Sequence, residues 1–212
     1  MLKPILFNTD MVRAILAGKK TVTRRVVKPQ PTWSGLNMRW DWGKIAWWRD
    51  NWNAIDSIPD KNKPCKIGDI LYVRETWCDP SGTGWPIYYK ADLPMHWDAD
   101  ETEHGEAVDL RVEDFTWRPS IHMPKEEARI FLRVTDVRVE RLQEIDEVQA
   151  QREGCYAGPI ITGSALWADA RTYFPAVWDR TLKSNVDRET YGWEANPWVW
   201  VIEFERCEKP EA

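Results

Sequence analysis

The chain has 212 residues, with 29 Lys and Arg against 34 Asp and Glu, a net charge of −5. That balance excludes a protein that grips long duplexes by bulk electrostatics, and it leaves room for a local basic pocket that holds a small ligand or a short single strand. No apolar run approaches the roughly 20 residues of a membrane-spanning helix, and Met1-Leu2-Lys3-Pro4 lacks a signal peptide's apolar stretch, so a cytoplasmic location and no membrane partner are expected.

Ile5-Leu6-Phe7 reads as a first short strand. Asn8 or Thr9 can cap a helix in which Met11, Val12, Ile15 and Leu16 recur at helical spacing. Gly18 follows where a helix end needs a left-handed residue. Residues 20–27 then turn β-like, since Thr21, Val22 and Thr23 are β-branched. Five cations (Lys19, Lys20, Arg24, Arg25, Lys28) fall within ten residues that hold no acid. Such a segment can be an anion site or a nucleophile site; the alternative is a solvated basic edge strand.

Residues 28–66 contain Pro29, Pro31, Pro59 and Pro64 with scattered Gly and Asn and read as long irregular structure. Six of the chain's 15 tryptophans lie between Trp33 and Trp52. Indoles at that density either staple a loop-rich insertion onto a core or stack nucleobases, and stapling is the reading with more weight. Ile70 to Trp77 is a buried strand, Asp79 to Gly84 a turn, and Ile87 to Lys90 its hairpin partner. Residues 92–118 are acidic and read as a solvated flap.

Ala128 to Arg141 is the longest strand signal, with a change of phase near Thr135-Asp136 that suggests a bulge. A short helix capped near Ile145-Asp146 ends by Gly154. Ala165 to Leu182 is helical in pattern, with Pro175 expected to kink or split it. Asn196-Pro197 opens a last strand. Short strands with two or three helices between them make an α+β fold.

Cys65, Cys78, Cys155 and Cys207 form no C-x-x-C pair, and His96, His104 and His122 do not lie at ligand spacing, so no metal site and no cofactor is expected. Free thiols are the expected state.

The motif Gly18-x-Lys20-Thr21-x-Thr23-x-Arg25 resembles the signature of the ASCH-domain family, a branch of the PUA-like superfamily. Further similar elements follow in the family's order: Gly68-Asp69 with the strand Ile70 to Glu75, the long strand up to Leu142, the short helix from Ile145 to Gly154, and the closing strand Trp198 to Phe204. The chain as a whole also resembles longer ASCH proteins of tailed phages and prophages. The resemblance implies one domain over residues 1–212, a small mixed PUA-like β-barrel decorated by helices, with Trp-rich loop insertions at about 29–66 and 92–118.

One branch of that family removes the acetyl group from N4-acetylcytidine. Carried onto matching positions, its catalytic Lys, Thr and Glu look like Lys20, Thr23 and Glu153, although Glu144 and Glu147 are close enough to compete for the last role. Lys20 would be the base that activates the Thr23 hydroxyl, Glu153 the acid for the leaving amine, and Arg25, with Thr21 and Arg24, would bind substrate. In a regular strand Thr21, Thr23 and Arg25 share one face and Lys20 points to the other, so Lys20 must lie in an irregular turn after Gly18. The partner would be a nucleoside or short single-stranded RNA. Two alternatives stand beside the amidohydrolase: a module that binds RNA without chemistry, and a phage accessory protein whose tryptophans dock a host protein. Neither the substrate nor the oligomeric state is legible in the sequence.

Overall fold

The computed structural model describes residues 1–33, 38–40, 44–46, 63–80, 86–97, 108–111, 113, 115–156, 158–159 and 167–210. In chain order the elements are β1 (Leu2–Leu6), α1 (Thr9–Leu16), β2 (Val22–Val26), β3 (Thr32–Trp33), β4 (Met38–Trp40), β5 (Lys44–Ala46), β6 (Ile70–Arg74), β7 (Trp77–Cys78), β8 (Tyr88–Tyr89), β9 (Met95–Trp97), β10 (Val108–Leu110), β11 (Phe131–Arg141), α2 (Glu147–Arg152), β12 (Gly158–Pro159), β13 (Trp167–Ala168), α3 (Ala170–Thr181), α4 (Asn185–Tyr191) and β14 (Trp198–Cys207). The fold is α+β, and among the described residues no barrel closes. The chain packs as two compact units, one built from residues 1, 19–69 and 133–205, the other from 2–18, 70–132 and 206–212.

In the first unit β14 lies between β11 and β2. β2 is antiparallel to β14, with Val22 opposite Glu203, Arg24 opposite Val201 and Val26 opposite Val199. Opposed residues share a face of the sheet. Val22, Val199 and Val201 are buried on one such face with Leu142, Ala150 of α2, and Phe174 and Trp178 of α3. Thr23 and Arg25, with Ile202 and Trp200, therefore occupy the other face. β14 buries five successive residues, Trp198 to Ile202. The apolar alternation of a one-faced strand is absent there because both sides are covered.

Two expectations for this unit change. The helix over 165–182 begins only at Ala170 and runs unbroken past Pro175. One lost backbone bond is outweighed by burial of Ala170, Phe174 and Trp178 at i, i+4 and i+8, with Asp169 capping the first turn by accepting from the Thr172 N–H at 2.7 Å. The stretch read as irregular contains a three-stranded antiparallel sheet, β3-β4-β5. Trp33 and Trp40 lie on its strands; Trp42, Trp47, Trp48 and Trp52 fall outside the described residues, and with them the question of what the indoles touch.

In the second unit β1 pairs in parallel with β6, from Leu2 opposite Ile70 to Leu6 opposite Arg74. Asn8 caps α1 by accepting from the Met11 N–H at 2.9 Å, and Gly18, at φ +69°, ends it. Trp77 of β7 pairs with Tyr89 of β8, the expected hairpin. Arg129 ties the start of the acidic stretch to the sheet. Arg129 forms paired bonds to Glu75 at 3.0 and 3.2 Å and to Asp92 at 2.7 and 2.8 Å, with the Tyr89 ring 3.9 Å away. Among the described residues no helix is long and apolar enough to cross a membrane.

Leu142 has no exposed surface and sits where β11 hands over to α2. Leu142→Ala should lower stability by about 2–5 kcal/mol, read from the urea midpoint at constant slope.

Candidate functional site

The site is built around the end of α2. Asp146 caps the start of that helix by accepting from the Gln149 N–H at 2.7 Å. Its other end closes on Gly154 at φ +87°, with the Gly154 N–H donating to the Gln151 carbonyl at 2.8 Å and the Cys155 N–H to the Ala150 carbonyl at 3.1 Å. This pair of bonds needs a residue that tolerates the left-handed conformation, which Gly supplies. The turn leaves Glu153 as the residue that caps the end of α2, 8 % exposed.

Lys20 meets it from the other end of the unit's sequence. Lys20 precedes β2, in the irregular turn after Gly18. Alternation does not constrain a residue outside the strand, so Lys20 can meet Glu153, while Thr23 stays on the face of β2 opposite Arg24. The Lys20 ammonium, with a side chain 0 % exposed, donates to the Val22 carbonyl at 2.7 Å, the Glu153 carbonyl at 2.8 Å and Glu153 Oε2 at 2.6 Å. Three acceptors meet its three donors. Thr21 fixes the approach, its N–H donating to the Arg152 carbonyl at 2.9 Å and its hydroxyl accepting from Arg152 Nε at 3.2 Å.

Arg24 reaches the same carboxylate. Its guanidinium, also 0 % exposed, donates to Glu153 Oε1 at 3.2 Å, to Glu140 at 3.2 Å and to the Gln149 side chain, while its Nε has no partner among the described residues. From Glu140 the charges continue outward through Arg138, Glu203 and Arg152, each contact near 2.5 Å.

Burial lowers the Lys20 pKa from its ordinary 10.5; the Glu153 charge and hydrogen bond oppose that shift, and the nearby Arg25 charge adds to it. Burial likewise lowers Arg25, with Glu153 opposing. The Cys155 thiol is pushed up to about 12 by burial and by Glu153, so at neutral pH it is an unreactive apolar neighbour.

The structure thus brings Lys20 and Glu153 together across 133 residues of sequence and keeps Arg25 within electrostatic reach of both. Thr23, 1 % exposed, lies on the Arg25 face of β2. Glu144 and Glu147 are occupied elsewhere: Glu144 accepts from the Arg141 N–H at 2.9 Å, and Glu147 from the first N–H groups of α3, Ala170 and Arg171. Thr21 and Arg24 make framework contacts with Arg152 and Glu153. Glu140 and Gln149, which the sequence did not single out, complete the Arg24 shell. Their signal was present, since Gln149 lies one helical turn before Glu153 and so on the same face of α2.

Among the described residues no group of His, Cys, Asp and Glu could hold a metal ion. Comparison with protein-family models, with curated proteins and with solved structures finds no match.

Removing one member of a buried pair leaves the other uncompensated. Lys20→Met and Glu153→Gln should each cost about 3–5 kcal/mol. The double variant should cost clearly less than their sum in a denaturation cycle.

The Lys20 proton also makes stability depend on pH. Its folded pKa lies below its unfolded value, so between the two the unfolded chain binds the extra proton and the fold gains stability as pH rises toward 10.5. Cys155, raised from 9.0, acts in the opposite sense above pH 9. In a Cys155→Ala background the alkaline gain should appear, and adding Lys20→Met should abolish it, read from urea midpoints across the alkaline range.

Proposed function

We propose that the chain is an ASCH-type, PUA-like protein whose Lys20–Glu153 centre serves a cytidine-type nucleoside or a short single-stranded RNA, and that it hydrolyses an N-acyl bond of the N4-acetylcytidine kind. One observation carries this reading. The buried contact of Lys20 Nζ with Glu153 Oε2 at 2.6 Å joins the two residues that the resemblance named as base and acid, although nothing in their local sequence links them.

The chemistry follows from one shared proton. Lys20 cannot act as a base while it is an ammonium, and burial favours its neutral form. Passing one proton along the 2.6 Å bond converts the ion pair into a neutral amine and a carboxylic acid. Neutral Lys20 then takes the Thr23 hydroxyl proton as the Thr23 oxygen bonds to the acyl carbon. Glu153 gives its proton to the exocyclic nitrogen as the carbon–nitrogen bond breaks. Water next attacks the Thr23 ester, Glu153 takes its proton, and Lys20 returns one to the Thr23 oxygen. The scheme requires the Thr23 hydroxyl to reach Lys20 from the face it shares with Arg25.

A second reading, binding without chemistry, is favoured by one feature: all three Lys20 N–H groups already meet acceptors, which suits a permanent ammonium. Lys20→Arg separates the two readings, because guanidinium keeps the charge and never yields the proton.

Incubation with N4-acetylcytidine, followed by chromatography, should release cytidine and acetate. The rate should fall at alkaline pH, as the pair loses its one shared proton below the ordinary 10.5 of Lys20, because no acid then remains for the leaving amine. Lys20→Ala should lose about two to four orders of magnitude in turnover, and Lys20→Arg should not restore it. Hydrolysis by Lys20→Arg at the parental rate would remove Lys20 as the base. A parent that binds cytidine but releases no acetate would leave the binding reading.

A further inference from the structure

Beside the buried pair stands an exposed one. Tyr156, one residue beyond Cys155, is 43 % exposed, unusual for so large a ring placed next to a core cluster. Its hydroxyl donates to the Lys19 carbonyl at 3.4 Å, and the Lys19 ammonium stands 4.8 Å from its ring centroid. The segments 19–21 and 152–156 are thus laced together at successive points: Tyr156 to Lys19, Glu153 to Lys20, and Arg152 to Thr21. Lys19 and Tyr156 form the outer edge of this lacing, and Lys20 and Glu153 form its buried interior.

We propose that Lys19 and Tyr156 are the recognition edge of the site, and that its ligand is a pyrimidine nucleotide carrying a phosphate rather than a free nucleoside. The assignment rests on the function proposed above. A tyrosine ring open to solvent offers a flat apolar face on which a base can stack, and it accepts any base because every base has a π-face. An ammonium already held over that ring is placed to meet a phosphate next to the stacked base, as a point charge. The surroundings suit an anion. Lys19 presents an exposed charge from an acid-free segment, while Lys20 and Arg24 are buried against Glu153. The lacing also explains why an exposed ring would stay ordered. It is tied by its hydroxyl to the peptide that leads into Lys20, so a base seated on it lies beside the reactive pair.

The test is a titration of cytidine and of cytidine 5′-monophosphate into the full chain by calorimetry, with hydrolysis of N4-acetylcytidine followed in parallel. The monophosphate should bind more tightly than cytidine, and the advantage should shrink with added salt. Lys19→Ala should bring the ratio of the two dissociation constants to about one. Tyr156→Ala should weaken both ligands by about 5- to 150-fold, and Tyr156→Phe should keep most of the affinity because the ring remains. Thermal melts of the variants check that they fold.

Tyr156→Ala binding both ligands within about twofold of the parent would overturn the stacking role, and a phosphate advantage that survives Lys19→Ala would overturn the phosphate role, each while the parent still hydrolyses the acetylated nucleoside. A parent that neither binds nor hydrolyses any of them defeats the function proposed above, and the edge with it.

Discussion

An ammonium with no exposed surface must find all of its hydrogen-bond acceptors inside the protein, and the first unit meets that demand at Lys20. Two of the three acceptors come from one residue, Glu153, which offers both its carboxylate and its carbonyl. The third is the carbonyl of Val22, the first residue of β2. The start of β2 and the end of α2 must therefore lie at fixed distance from one charge. The Gly154 turn that stops α2, the Thr21 bonds to Arg152 and the Arg24 fork from the sheet face all act on that same junction. A shift of α2 by a fraction of a turn would strand a buried charge, which costs several kcal/mol.

Around that contact the apolar and polar parts share one face. The side of β2 and β14 that buries Val22, Val199 and Val201 under α2 and α3 also carries Arg24 and Glu203. The apolar residues supply burial without direction. The charges supply direction, because a guanidinium fork fits its partners in few orientations. The polar chain then grades outward, from Arg24 with no exposed side-chain surface to Arg152 at 40 %, so low dielectric is concentrated where Lys20 sits.

What could be read in the sequence was whatever local chemistry dictates. Gly18, the Asn8 cap, the strand after the β-branched run and the Asp146 cap with Gly154 closing the helix follow from the conformations those residues favour. The change of phase in β11, where Leu132 and Val134 are buried and then Val137 and Val139, was visible as a break in alternation. The meeting of Lys20 with Glu153 was not readable from spacing; it came from a family resemblance, because a contact across 133 residues leaves no periodic trace. The contact of Arg24 with Glu153 was not legible for a related reason. Adjacent arginines look alike in sequence, and only the register against β14 decides which one faces α2. The helix α4 escaped although Ser184 and Asp187 form a capping signal, Ser184 accepting from the Asp187 N–H at 3.0 Å, because its seven residues carry no apolar stripe. Proline's local preference suggested a break at Pro175, and the packing of Phe174 and Trp178 carries α3 past it.

The contact of Lys20, Glu153 and Arg24 has a consequence for how such a chain can diverge. Lys20 and Arg24 both bury a positive charge against the one Glu153 carboxylate, so substitution at one position is tolerated only in the company of a second. A lineage leaving this arrangement one residue at a time must cross an intermediate with an orphaned buried charge, a cost of about 3–5 kcal/mol against a domain's whole stability margin of about 5–15 kcal/mol. The three positions should be inherited as a block, unchanged over long divergence or replaced together by apolar residues in a lineage that has given up the site.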